Sequence, residues 1–292
     1  MDKRRLFLAE SMGICNGVRR ALDIVDRALA AGHAPLYILH EIVHNNFVVE
    51  CLRRRGVFFV EDPADVPDGA CLILSAHGTS PQVRAAAEKR LQIVDATCPL
   101  VRKVQQTAFE AEKAGERVIL LGHAGHPEVI GILGHCPPGT IELVRGPGDL
   151  ANLPPDDGRP VRLLTQTTLN ADEVAVFQQK LAEVFTDIRL DRAQVCYATR
   201  DRQQAVRELA KKVEYILILG SFHSSNAARL LETARKADVA ARQIDTPEEL
   251  VAGDLAGIRK LGLSAGASVP DELVDRTVAR LAEWGFVLSR EG

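Results

Sequence analysis

Val118-Ile119-Leu120-Leu121-Gly122-His123-Ala124-Gly125-His126-Pro127-Glu128 is the stretch on which the fold turns. Its first four residues are apolar and half of them β-branched, the signature of a short strand buried on both faces. Directly after Leu121 the composition changes to glycine, histidine and a carboxylate. The same pattern recurs outward in both directions, in strand-like runs at 36–39, 72–74, 161–164, 216–219 and 260–263. These end in His40-Glu41-Ile42-Val43-His44-Asn45, Ser75-Ala76-His77-Gly78, Thr165-Gln166-Thr167-Thr168, Gly220-Ser221-Phe222-His223-Ser224-Ser225-Asn226 and Ser264-Ala265-Gly266-Ala267-Ser268. Stretches with helical periodicity separate the runs, at 17–31, 81–90, 100–114, 171–185, 201–212, 226–237 and 271–284. Six buried strands alternating with helices predict an α/β protein with mainly parallel sheets. In such sheets ligands sit at the carboxyl ends of the strands, where helix N-termini favour anions. Six small, polar strand ends therefore predict an oxyanion site.

Composition sets the boundaries of function. The 292 residues carry a net charge of −3, are 46% hydrophobic and only 4% aromatic. That is a globular composition of two or three lobes, with neither the basic footprint nor the stacking platforms of a nucleic-acid binder. No apolar run approaches the roughly 20 residues of a membrane span, so a cytosolic protein with no membrane or nucleic-acid partner is expected. In that compartment six cysteines point to thiols, metal ligation or catalysis rather than disulfides.

Three of them fall in similar contexts, Gly13-Ile14-Cys15-Asn16-Gly17, Asp95-Ala96-Thr97-Cys98-Pro99 and Gln194-Val195-Cys196-Tyr197-Ala198-Thr199, one before each pair of strands. This spacing predicts a threefold pseudo-repeat of α/β lobes at 16–96, 97–193 and 194–286, with 1–15 packed on the third. Three thiols, each in a loop opening a helix, suit a soft metal centre with one position left open. Cys51 on a helix and Cys71 at a strand start read as buried hydrophobes. Cys136 lies in a ligand-like loop but breaks the one-per-lobe pattern and is left out. His40-Glu41-Ile42-Val43-His44 matches a zinc-protease pattern, yet His40 directly follows a strand, which is the wrong context. Glu128 belongs to a strand-end loop, where a carboxyl can carry a proton. A zinc enzyme on phosphorylated metabolites and a cluster-bearing sensor are the alternatives these residues leave open.

In order, Gly-x-Cys-x-Gly-Val, His-Glu-x-Val-His-Asn, Ser-Ala-His-Gly, Asp-Ala-Thr-Cys-Pro-Leu-Val, Gly-His-x-Gly-His-Pro-Glu, Thr-Gln-Thr-Thr-Leu, Cys-Tyr-Ala-Thr-x-x-Arg-Gln, Gly-Ser-x-x-Ser-Ser-Asn and Ala-Gly-Ala-Ser fall within a match that runs over residues 11 to 286. Together they resemble the 4-hydroxy-3-methylbut-2-enyl diphosphate reductase family. The resemblance implies three lobes around a central cavity holding a 4Fe-4S cluster, with Cys15, Cys98 and Cys196 as ligands and one open iron. It implies that His44, His77, His126, Ser224, Ser225, Asn226 and Ser268 hold the diphosphate. Glu128, Thr167 and His126 are implied as the catalytic group, with Glu128 in the proton path. The implied activity is reductive loss of the allylic hydroxyl to give isopentenyl and dimethylallyl diphosphates, with electrons from a ferredoxin or flavodoxin. Met12 and Ile14 depart from the Arg and Phe usual in the first motif.

Overall fold

A computed structural model describes residues 4–190 and 195–289. After β1 (Arg4–Leu8) comes a series of elements: α1 (Asn16–Ala30), β2 (Leu36–Leu39), α2 (Asn46–Arg54), β3 (Val57–Val60), β4 (Cys71–Leu74), α3 (Pro81–Glu88) and β5 (Gln92–Asp95). The series then recurs as α4 (Pro99–Lys113), β6 (Arg117–Leu121), α5 (Pro127–Leu133), β7 (Ile141–Val144), β8 (Val161–Thr165), α6 (Ala171–Ala182) and β9 (Ile188–Leu190). It recurs once more as α7 (Tyr197–Ala210), β10 (Tyr215–Leu219), α8 (Ser225–Lys236), β11 (Ala240–Ile244), β12 (Lys260–Ala265), α9 (Asp271–Glu283) and β13 (Phe286–Leu288). Between the second and third strands of each series lies a 3-10 turn opened by proline: Pro63–Asp65, Pro147–Asn152 and Pro247–Glu249. Proline fixes the first turn of a helix at no hydrogen-bond cost.

Three sheets result, in strand orders β3-β2-β4-β5, β7-β6-β8-β9 and β11-β10-β12-β1-β13. Every pairing among the described residues is parallel. The expected three-lobed parallel α/β fold is the one observed. The six runs read from the sequence are the three central pairs, β2 with β4, β6 with β8 and β10 with β12. Seven further strands, β1 among them, were not anticipated. Most are outer strands with mixed exposure, such as β5 and β9, so they lack a continuous apolar run. β1 opens with two arginines. The Arg4 guanidinium lies 3.9 Å from the Phe286 ring centre and donates to the carbonyls of Ile258 and Trp284, so the charge is satisfied at the edge of the core.

Contacts divide the chain into two compact units. One takes in the described parts of 1–16, 44–51 and 197–292 and contains the five-stranded sheet. Alternate residues of β10 serve its two faces. Leu217 and Leu219 pack with Leu261 and Leu263, while Ile216 and Ile218 pack with Phe7, Val206 and Leu230. The other unit comprises 17–43 and 52–196 and holds both four-stranded sheets. Here Ile119 and Leu121 face Phe177 and Leu181, and Val118 and Leu120 face Val129 and Ile132. All five residues of β6 are buried, as a strand covered by helices on both faces requires. Boundary 193/194 and Gln194 lie outside the described residues. Among those residues, no helix is long and apolar enough to cross a membrane.

Candidate functional site

Each of the three singled-out cysteines hangs from a sheet by its backbone N–H. Cys15 donates to Ala267 O at 3.0 Å, Cys98 to Ala76 O at 3.0 Å and Cys196 to Thr167 O at 3.1 Å. Each acceptor lies two residues beyond the strand that precedes it, β12, β4 and β8 respectively. Two residues earlier the arrangement repeats, with Gly13 N on Ala265 O and Ala96 N on Leu74 O. Gly13 takes φ +72°, a left-handed conformation that only glycine adopts without cost, so the Cys15 loop depends on it. The buried Arg202 guanidinium donates to Gly13 O and Ala198 O, fixing that loop to α7.

All three thiols are half-buried and outside any disulfide, and each directly precedes or caps a helix. Cys98 makes no side-chain cap on its own helix, so its sulfur is not spent there. Thiols are the donors that soft metals and iron–sulfur clusters take. Of the other cysteines, Cys71 and Cys136 are buried, whereas Cys51, read from the sequence as a buried hydrophobe, is half-buried on α2. Burial, aided by the Glu112 carboxylate, pushes the Cys136 thiol up to about 11, and burial also raises Cys71.

In the unit with the two four-stranded sheets, α5 begins at the end of the loop after β6. His126 is its N-cap, and Nδ1 accepts the Glu128 N–H at 3.2 Å. With Nδ1 accepting there, Nε2 is the ring nitrogen that points away from the cap. The His77 ring meets that of His126 edge to face at 5.7 Å. Glu128 is 2% exposed, and its carboxylate accepts from Thr167 N at 2.7 Å and from Thr167 Oγ1 at 3.0 Å. Burial raises its pKa to about 7 although both hydrogen bonds oppose the shift. Glu128, Thr167 and Cys196 thus form one hydrogen-bonded chain through the Thr167 backbone.

In the other unit, His44 and Ser268 lie on loops, Ser224 caps α8 and Ser225 and Asn226 form its first turn, and these segments bind one another. Ser268 Oγ donates to His44 O at 2.9 Å. The buried Asn226 amide accepts from Ala267 N at 2.9 Å and donates to Thr199 Oγ1 at 3.3 Å. Ser224 caps α8, opening an N-terminus of backbone donors at Ser225 and Asn226. The His44 and His223 rings meet edge to face at 5.5 Å.

His40 takes φ +55° where the equivalent positions after β6 and β10 are Gly122 and Gly220, and each of the three donates its N–H to the last residue of the next strand over. With His40 in that turn and α2 starting only at Asn46, the zinc-protease pattern is not on a helix. Sequence reasoning missed Thr199, Arg202 and Gln166, although all three fall inside quoted motifs. Gln166 is fully buried, accepting from His123 N and donating to Thr168 Oγ1. A polar residue within a strand-end motif was the available signal.

Fold and site together define the class: a three-lobed parallel α/β protein presenting cysteines, histidines and small polar residues beyond its strand ends. The family described as LytB protein matches residues 6–282, and the chain belongs to that family. The chain is 45% identical to the 4-hydroxy-3-methylbut-2-enyl diphosphate reductase of Edwardsiella ictaluri, over 98% of this chain and 92% of that protein. The solved structure of E-1-hydroxy-2-methyl-but-2-enyl-4-diphosphate reductase from Plasmodium falciparum superposes with a TM-score of 0.95 at 35% identity, covering 98% of this chain and 91% of that one. A second solved structure, an (E)-4-hydroxy-3-methyl-but-2-enyl diphosphate reductase described as the terminal enzyme of the non-mevalonate pathway, gives 0.69 at 30% identity, covering 96% and 99%.

Proposed function

We propose that this chain is a cytoplasmic iron–sulfur reductase that converts 4-hydroxy-3-methylbut-2-enyl diphosphate to isopentenyl and dimethylallyl diphosphates, using two electrons and two protons and releasing the hydroxyl as water. Membership of the LytB family supports the reaction. The observation that carries the ligand assignment is the shared seating of Cys15, Cys98 and Cys196, each with its N–H on a carbonyl two residues past a strand end. A 4Fe-4S cluster on those thiolates supplies Lewis acidity and electrons. In this reading the lobes run 16–96, 97–193 and 194–286, and a small ferredoxin or flavodoxin delivers the electrons.

The chain's own residues bind the substrate and move a proton. His44, His77, His126, Ser224, Ser225, Asn226 and Ser268 hold the diphosphate, with the α8 N-terminus contributing backbone donors. Ser268 gives up its bond to the His44 carbonyl to do so. Glu128, with a pKa near 7, holds a proton that a surface carboxyl would have lost. In its protonated form the 3.0 Å contact to Thr167 Oγ1 reverses direction, and the threonine hydroxyl hands its own proton to the departing oxygen. Anaerobic purification with iron and zinc analysis, a visible spectrum and turnover with a one-electron reductant test the reading. Iron near four per chain with turnover supports it, and stoichiometric zinc without iron overturns it.

A further inference from the structure

Asp245 directly follows β11 and is only 9% exposed, yet the proposed reaction gives it nothing to do. Its two oxygens serve two different loops. Oδ1 accepts the Ser221 hydroxyl at 2.5 Å, and Oδ2 accepts the Asn46 side-chain amide at 2.5 Å. Ser221 Oγ in turn accepts the Asn46 backbone N–H at 2.8 Å, which closes a three-residue ring of hydrogen bonds. The same strand end grips the second loop again, as Gln243 Nε2 donates to both Gly220 O and Ser221 O at 2.9 Å. Ser221 O also accepts the Ser224 N–H at 2.9 Å, so the ring is joined directly to the start of α8. On the other side Asn46 is two residues from His44.

We infer that Asp245 is a positioning residue that locks the His44 loop to the Ser224-Ser225-Asn226 loop and so sets the shape of the oxyanion cradle. The inference rests on the reading that these residues hold diphosphate. Its physical basis is that the cradle consists mostly of neutral donors. These bind a multiply charged oxyanion well only if they already point at it, because ordering them at the moment of binding costs affinity. A carboxylate is the one side chain that accepts from both loops at once without offering a competing donor.

The sign of the effect separates positioning from simple charge. A carboxylate near an anion site repels the anion, so removing its charge alone tightens binding. Removing a clamp loosens it. Inorganic diphosphate is titrated calorimetrically into the holoenzyme under nitrogen, for wild type, Asp245→Asn, Asp245→Ala and Ser221→Ala, alongside iron content, unfolding temperature, KM and kcat. Asp245→Asn keeps the volume and is the variant that decides should Asp245→Ala not fold. The expected result is diphosphate affinity lower by about threefold in Asp245→Asn and about tenfold in Asp245→Ala, the scale of one or two hydrogen bonds. KM rises in parallel while kcat and iron stay at wild-type values. Ser221→Ala weakens binding too, and the Ser221→Ala/Asp245→Asn pair is less than additive because both break one ring. Affinity equal to or tighter than wild type in folded Asp245→Asn overturns the inference alone. A wild-type holoenzyme that takes up no diphosphate overturns the proposed function with it.

Discussion

Glu128→Gln is the most informative single change. The Gln amide has the shape of the carboxyl and keeps an oxygen for the Thr167 N–H, while its NH2 group meets Thr167 Oγ1, which can accept. What disappears is the proton. The carboxyl is raised from 4.5 to about 7, chiefly by burial, which is worth about 3 kcal/mol at about 1.4 kcal/mol per tenfold. The folded state therefore holds this proton more tightly than the unfolded chain does. Below pH 4.5 both states carry it and there is no penalty. Between pH 4.5 and 7 the unfolded chain ionises first, so wild-type stability falls as pH rises, and above 7 the full penalty applies. Denaturant titrations under nitrogen across that range should show Glu128→Gln gaining about 3 kcal/mol on wild type between pH 4.5 and 8. Turnover with an artificial one-electron reductant should fall about 10²-fold or more, with iron content unchanged and KM within a small factor. In wild type kcat should decline as pH rises through about 7, and that limb should be missing in the variant. Unchanged kcat with a raised KM would remove Glu128 from proton delivery and leave it as an orienting group for His126 or α5.

Cys15→Ser, Cys98→Ser and Cys196→Ser should each lose iron on anaerobic reconstitution, while Cys51→Ser, Cys71→Ser and Cys136→Ser should retain it; metal analysis of all six decides. His44→Asn and Ser268→Ala should raise KM, each lost hydrogen bond to a charged group costing roughly 1.5 to 3 kcal/mol, with the iron spectrum intact. Equal affinity for the substrate and its dephosphorylated alcohol would contradict the oxyanion assignment. Gly13→Ala forces a side chain into φ +72° and should cost about 1 to 2 kcal/mol in stability, shown as a lower unfolding temperature together with faster loss of iron in air. An unchanged iron half-life would mean that the Cys15 loop tolerates the distortion.

The central strand pairs were legible because burial on both faces leaves an uninterrupted apolar run, as in Leu72-Ile73-Leu74. Their outer partners were not. Gln92 at the start of β5 is exposed, and Ala240-Ala241-Arg242 opens β11 with two small residues and a charge. α5 escaped notice for another reason: its seven residues include Gly131, which a weak periodicity cannot outweigh. Glycine stands there because Gln105 packs against it, with the amide nitrogen only 2.9 Å from where a Cβ would be. The cysteines and strand-end histidines were visible as motifs. What the sequence hides is the layer behind them. Arg202 reaches back across the chain to Gly13, Asn226 reaches Thr199 and Ala267, and Asp245 reaches Asn46. Such pairings join residues far apart in the chain and have no local periodicity to betray them.

β1 stands beside β12 where β5 stands beside β4 and β9 beside β8, and each of these three strands is the last before one of the cysteine loops. Two of the three seats are therefore assembled from neighbouring stretches of chain. The seat of Cys15 is not: β1 is made first, yet pairs Arg5 with Lys260 and Leu8 with Leu263, and the carbonyl that receives the Cys15 N–H belongs to Ala267. On a ribosome adding residues from the N-terminus, the first thiol made is thus the last to be put in place. Pairings so distant in sequence also close slowly. If Cys15 is one of the cluster ligands, as proposed above, its seat can form only after β12 and Ala267 have been made.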